Sequence, residues 1–85
     1  MRRENRVAAA IITGAAGNGM GRSIALTLAR QGIAVAVNYR QNRQAAQEIV
    51  SYLRDTGSTA CAIQGNIFEK TDCERLVQST LERFG

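Results

Sequence analysis

A glycine-rich turn between an apolar run and a helical pattern constrains this chain more than any other feature. Four glycines fall within the eight residues from Gly14 to Gly21, directly after the apolar run 7–13. Glycine adopts positive φ and lets a ligand approach the bare backbone. A helix that begins here carries unpaired N–H groups and the positive end of its dipole, which favour a phosphate. The turn therefore predicts a pyrophosphate site of the kind that holds a dinucleotide.

The composition indicates one small folded domain over residues 1–85, in which 45% of the residues are hydrophobic. No apolar run approaches the roughly 20 residues of a membrane span, and no signal-peptide pattern follows the basic N-terminus. We therefore expect a cytoplasmic protein that does not insert into a membrane. The 11 basic residues exceed the 7 acidic ones, but no basic helix is interleaved with aromatics. This excess favours a small phosphate-bearing ligand over nucleic acid, with a solvated basic surface as the alternative.

Metal chemistry is not indicated. The chain has no histidine, and its two cysteines, Cys61 and Cys73, lack the spacing of a metal site. We interpret both cysteines as small buried hydrophobic residues and expect no metal ion.

Continuous apolar runs alternate with helical periodicities along the chain. The runs are typical of strands buried in a parallel sheet. Asn42 is placed to cap the second helix, Gly32 to end the first, and the capping box Thr71–Glu74 to start the third. The expected strands are 7–13, 33–38 and 59–64, and the expected helices are 20–31, 43–54 and one behind the capping box that runs to Phe84.

Apolar residues at helical spacing predict which helix faces pack on the sheet. The first helix has Ile24 and Leu28, with the small Ala25 and Ala29 beside them. The predicted stripe of the second helix is Ala45, Ile49 and Leu53, and that of the third is Cys73, Val77, Leu81 and Phe84.

This order of elements predicts an α/β fold. It corresponds to the N-terminal βαβαβα half of a Rossmann-type, doubly wound parallel sheet with strand order 3-2-1. The sequence stops at Gly85, where a fourth strand is due beside the first, so the first strand is left as an apolar edge. Soluble monomers avoid such edges. We therefore expect residues 1–85 to be the dinucleotide-binding part of a longer protein, the alternative being a small module that is complete or pairs its edges in a dimer.

The glycine turn also carries a family resemblance. The stretch from Thr13 to Arg22 is similar to the TGxxxGxG motif of the short-chain dehydrogenase/reductase family, and the segments 30–32, 35–40 and 81–85 resemble further family segments. The 3-oxoacyl-carrier-protein reductase-like branch is the most similar. The turn departs from the motif, because four residues rather than three separate Gly14 from Gly19.

The resemblance assigns roles within the turn. It implies that Gly14 makes the tight turn, that Gly19 and the Met20 N–H face the pyrophosphate, and that Gly21 allows close packing of helix and strand. Asn18 stands where many NADP-dependent relatives carry a basic residue. The alternative is that these glycines only shape a tight connection.

The residues after the second and third strands bear on the choice of cofactor. NAD-specific relatives carry an acid at the end of the second strand, whereas this chain has Tyr39 and Arg40 and no acid in 38–42. A guanidinium can hold a 2′-phosphate and stack on adenine, so NADP is favoured; a solvated loop arginine is the alternative. The resemblance places Asn66 and Ile67 at the adenine, although Asn66 is equally suited to forming a turn.

The catalytic Tyr-x-x-x-Lys pair and Ser of the family are absent from these residues, so we expect no catalytic residue here. The only lysine, Lys70, has no tyrosine four positions before it. The resemblance implies an oxidoreductase that interconverts a small-molecule carbonyl and an alcohol with NADP, as a homo-oligomer. The alternative is a non-catalytic dinucleotide-binding or redox-sensing module.

Overall fold

The computed structural model describes residues 8–14 and 19–84. In these residues three strands alternate with three helices, as predicted. The strands are β1 (Ala9–Ile12), β2 (Ala34–Tyr39) and β3 (Ala60–Gln64), and the helices are α1 (Gly19–Arg30), α2 (Arg43–Asp55) and α3 (Lys70–Phe84). None of these helices has the length and apolar character needed to cross a bilayer.

The three strands form one parallel sheet in the order β1-β2-β3, which confirms the predicted order 3-2-1. Ala9 pairs with Ala34, and Val35 pairs with Ala60. The central strand β2 is buried along nearly its whole length, whereas β1 is exposed at Ala9 and half-buried beyond it. Within the described residues, β1 is therefore one edge of the sheet, as expected.

The side chains of β2 alternate between two hydrophobic clusters, one on each face of the sheet. Val35 and Val37 pack in a cluster with residues of α1 and α2. Ala36 packs on the other face with Ile63 and with Leu76 of α3. Successive strand residues point to opposite faces, so α1 and α2 cover one face and α3 covers the other. The crossovers from β1 to β2 and from β2 to β3 run in the same direction along the sheet, so right-handed connections place α1 and α2 on the same face.

Two predicted helix ends are confirmed. The Asn42 side-chain oxygen accepts the Ala45 N–H at 3.1 Å and caps α2. Gly32 follows α1 with φ of +82°, and the next N–H, of Ile33, donates to the Leu28 carbonyl at 3.2 Å. This left-handed closure is the one in which glycine is preferred over other residues.

The predicted capping box at Thr71 and Glu74 is wrong. The helix begins at Lys70, and the Cys73 N–H already donates to the Glu69 carbonyl at 3.0 Å. Thr71 therefore lies inside the first turn of α3. A tight turn ends at Glu69 and leads directly into the helix, so no extended residue remains at position 71 to act as a cap.

The buried face of α3 also differs from the predicted stripe. Leu76 and Thr80 are buried, whereas Val77 is 49% and Leu81 57% exposed. The Thr80 hydroxyl donates to the Leu76 carbonyl at 2.8 Å, which satisfies it within the helix. A threonine bonded in this way can face a core, but a search for apolar periodicity alone misses it.

In α1 the small residues are the most deeply buried, and Leu28 of the predicted stripe packs half-buried against the same cluster. Ala25 is fully buried and Ala29 nearly so, whereas Ile24 is 47% exposed. The predicted stripe of α2 is confirmed more fully, because Ile49 and Leu53 are both buried. Alanines let α1 lie close to β1 and β2, and this keeps the start of α1 near the ends of those strands.

Candidate functional site

A cleft of about 300 Å³ lies where the carboxyl ends of the three strands meet. Open parallel α/β sheets bind their ligands at this edge. Five predicted site residues line the cleft together: Gly14, Tyr39, Arg40, Asn66 and Ile67. Its other lining residues in the described part of the chain are Thr13, Asn38, Gln41, Asn42, Gly65 and Phe68.

The remaining predicted residues lie at or before the start of α1. Gly19, Met20 and Gly21 form its first turn, and Gly21 is buried. Asn18 lies outside the described residues. The first turn of α1 therefore follows Gly14 in sequence but does not contribute to the described lining of the cleft.

Gly14 is the point at which the chain turns away from β1. Its φ is +73°, a conformation that L side chains rarely adopt. A Cβ added to Gly14 would meet no atom of residues 8–14 and 19–84 within 4 Å. The position is therefore constrained by backbone conformation rather than by space, and its backbone is open to the cleft.

Asn38 is a site residue that the sequence reasoning did not identify. It is 4% exposed, and its Nδ2 donates to the carbonyls of Ile63 at 3.1 Å and Gly65 at 3.2 Å. These bonds join the end of β2 to the end of β3 beneath the cleft. The available signal was a single amide at the carboxyl end of an otherwise apolar strand.

Asn66 shapes the loop after β3. Its side-chain oxygen accepts the Phe68 N–H at 3.0 Å, and its carbonyl accepts the Glu69 N–H at 2.9 Å. The turn-forming interpretation of Asn66 is therefore correct for its oxygen. No hydrogen bond within residues 8–14 and 19–84 uses its Nδ2, so this group can still donate to a ligand.

Two side chains of α3 form hydrogen bonds with the backbone of the same loop. The Asp72 carboxylate accepts the Asn66 N–H at 2.8 Å, and Arg75 donates to the Gln64 carbonyl at 2.9 Å. The Arg75 Nη2 and the Asp72 Oδ1 also lie 3.8 Å apart, but a half-exposed ion pair at this distance adds little stability. Their main effect is to fix the backbone on both sides of Gly65.

Arg40 is the only charged residue among the described residues that line the cleft. Its side chain is exposed and makes no hydrogen bond or ion pair with another described residue, while its carbonyl accepts the Gln64 Nε2 at 3.3 Å. Arg43 lies in the first turn of α2 and is not part of the lining. Among the described residues, the Arg40 guanidinium therefore has no partner, and no carboxylate lines the cleft beside it.

The cysteines contribute no evident chemistry to this site. Cys61 is buried in β3, and burial raises the pKa of its thiol, opposed by the nearby Arg83 and Arg54. Cys73 is half-buried, and its Sγ donates to the Ile67 carbonyl at 3.1 Å. In residues 8–14 and 19–84 no three His, Cys, Asp or Glu side chains converge as a metal site would require.

Comparison with known proteins assigns this chain to a family. Residues 8–85 match the family model for short chain dehydrogenases. The chain is 45% identical over 76 residues to a hydroxynaphthalene reductase-like protein of Metarhizium robertsii and 37% identical over 76 residues to a versicolorin reductase of Emericella nidulans. Each alignment covers 89% of this chain but 28% of the relative.

A solved structure shares the fold. The crystal structure of a dehydrogenase/reductase from Sinorhizobium meliloti superposes with a TM-score of 0.87 at 32% identity, and covers 94% of this chain and 31% of that one. Short-chain dehydrogenases bind a nicotinamide dinucleotide, NAD or NADP, which agrees with a cleft at this edge of the sheet. The chain belongs to the short-chain dehydrogenase family and corresponds to the N-terminal portion of its members.

Proposed function

We propose that this chain is the NADP-binding portion of a reductase that interconverts a carbonyl and an alcohol by hydride transfer. The family match and the reductases among its relatives support the reaction type. Residues 1–85 carry no Tyr-x-x-x-Lys pair, so the proposal places proton transfer to the substrate on residues outside these 85.

The observation that carries the preference for NADP is Arg40. It is the sole charged group among the described lining residues, and its guanidinium has no partner among them. A guanidinium holds a phosphate through two parallel hydrogen bonds. A carboxylate at the same edge would repel that phosphate, and none is present among the described lining residues.

The residues of the cleft fit a dinucleotide in their donor chemistry. In this proposal Gly14 offers bare backbone, the N–H groups at the start of α1 near Gly19 and Met20 favour the pyrophosphate, and Arg40 binds the 2′-phosphate. The Asn66 amide group and the Ile67 side chain contact the adenine. When bound, the nicotinamide supplies or accepts the hydride. The role of this chain is to hold the other end of the cofactor in one position.

The test is Arg40→Ala in the full-length protein, titrated with NADPH and with NADH. We expect NADPH affinity to fall about tenfold or more, since hydrogen bonds to charged groups are worth about 1.5–3 kcal/mol, and NADH affinity to change little. Arg43→Ala is the matched control, because it removes a guanidinium three residues away that does not line the cleft. Unchanged NADPH affinity in Arg40→Ala contradicts the assignment of the 2′-phosphate.

Turnover separates this proposal from a non-catalytic module. The full-length protein should oxidise NADPH in the presence of a carbonyl substrate, and the names of the hydroxynaphthalene and versicolorin reductases among its relatives suggest a hydroxynaphthalene and a versicolorin as first trials. NADPH binding without any turnover would favour a binding or sensing role instead. A cytoplasmic location and assembly as a homo-oligomer belong to the same proposal and are open to fractionation and to mass measurement in solution.

A further inference from the structure

Phe68 is the most exposed large hydrophobic residue in the described part of the chain. Its exposed fraction is 83%, and its neighbour Ile67 is 43% exposed. A single exposed apolar side chain is ordinary on a protein surface. These two are adjacent, however, and both line the cleft at the ends of the strands. Together they form an apolar border on the β3 side of a site that has a cation on its β2 side.

The exposure of Phe68 does not come from a loose loop. Its N–H donates to the Asn66 side chain at 3.0 Å. The turn is closed by the Glu69 N–H on the Asn66 carbonyl at 2.9 Å, and the Asp72 carboxylate holds the Asn66 N–H at 2.8 Å. The backbone that carries the ring is thus tied on either side of it. A phenylalanine has two side-chain torsions, so covering the ring with a ligand costs little further conformational entropy.

Charge and apolar surface are divided between neighbouring strands. Arg40 follows β2, and Phe68 follows β3, which pairs directly with β2. The adenosine part of a nucleotide has the same division, because a planar base and a phosphorylated ribose are joined at one glycosidic bond. An aromatic ring can stack on any base. The two sides of the cleft therefore complement the two parts of such a ligand.

We infer that Phe68 forms an aromatic wall of the adenine pocket and contributes to adenine affinity independently of the 2′-phosphate. This inference rests on the proposed function and adds to it a specificity-determining residue. Phe68 acts on the base and Arg40 on the phosphate, so the two residues are separable by ligands that contain one group or both.

The experiment uses the full-length protein, titrated with 5′-AMP and with 2′,5′-ADP by calorimetry. Phe68→Ala should lower the affinity for both ligands by about fivefold or more, as expected from the loss of a stacked aromatic ring. Phe68→Tyr keeps the ring and should retain wild-type affinity for both. Arg40→Ala should lower the affinity for 2′,5′-ADP and leave the affinity for 5′-AMP unchanged. Tyr52→Ala is the control, because it removes a 46% exposed aromatic of α2 that does not line the cleft.

Several results would overturn this role of Phe68. One is a Phe68→Ala protein that binds 5′-AMP with wild-type affinity. Another is a variant whose melting temperature or oligomeric mass changes while its 5′-AMP affinity does not, since Phe68 would then serve packing or assembly. If the wild-type protein binds neither ligand, the proposed function fails first. Wild-type binding that Phe68→Ala leaves unchanged contradicts the inference alone.

Discussion

The loops that follow β2 and β3 border the same cleft but are held in different ways. The loop after β3 is fixed by side chains: Asn38 from β2, and Asp72 and Arg75 from α3. The loop after β2 is short and ends at the cap of α2, and the Arg40 side chain that it carries has no partner among the described residues. The loop after β3 thus has a fixed backbone before any ligand binds, while the loop after β2 presents the charge of Arg40. Substitutions of the side chains that fix the β3 loop should therefore alter stability, whereas substitution of Arg40 on the β2 loop should alter ligand affinity with little effect on stability.

The largest effect is expected at Asn38, where the two sides are joined. Asn38→Asp replaces a buried donor with a group that faces two carbonyl oxygens, those of Ile63 and Gly65. Burying an unpaired charge against acceptors should lower the free energy of unfolding by about 3 kcal/mol or more. Urea unfolding of the full-length protein measures this loss. Asn38→Leu adds no charge and should cost less, and an equal loss in both variants would show that the charge is unimportant.

An intermediate effect is expected at Asp72, behind the β3 loop. Asp72→Ala leaves the Asn66 N–H without its acceptor and should cost about 1 kcal/mol of stability. It should also lower the affinity for 5′-AMP, because the loop that carries Ile67 and Phe68 loses a hydrogen bond that fixes its backbone. Asp72→Asn keeps an oxygen that can accept this bond and should behave nearly as the wild type. Wild-type 5′-AMP affinity in Asp72→Ala would mean that the tether does not position the loop for binding.

The smallest effect on stability is expected at Arg40. Because its side chain makes no hydrogen bond or ion pair with a described residue, Arg40→Ala should change the free energy of unfolding by no more than about 0.5 kcal/mol. Arg54→Ala is the comparison, since the Arg54 Nε donates to the Ala60 carbonyl at 2.9 Å, and this loss should cost about 1 kcal/mol. Both values come from the same urea series. A large loss in Arg40→Ala would remove the contrast between the two loops.

Local signals in the sequence located most of the fold. The continuous apolar runs predicted all three strands, and Asn42 and Gly32 were correctly placed at helix ends. The wrong predictions concern α3, in its start and in the face that packs on the sheet. The pattern at Thr71 and Glu74 suited a cap, but the turn before it takes the chain into α3 two residues earlier than a cap at Thr71 requires. The residue at which α3 begins is decided by the path of the preceding loop, which the local sequence does not specify.

The candidate site divides in the same way. Gly14, Tyr39 and Arg40 could be selected from the sequence because they lie at or after the ends of strands that meet at one edge of a parallel sheet, and Asn66 and Ile67 could be selected from the family resemblance. Asn38 and Asp72 were not selected, because their importance depends on tertiary partners, the carbonyls of Ile63 and Gly65 and the Asn66 N–H. The roles of Asn18, Gly19, Met20 and Gly21 at a pyrophosphate stay predictions.

The sequence by itself determined the element order, the parallel sheet and the edge of the sheet at which the cleft lies. Those properties follow from hydrophobic periodicity, turn residues and the handedness of crossovers, which act over short stretches of chain. Only the tertiary structure decided that a threonine of α3 faces the sheet, and that Asn38, Asp72 and Arg75 fix the loop beside the cleft. The physical reason is that packing and buried hydrogen bonds join residues distant in sequence, so their partners exist only once the chain has folded.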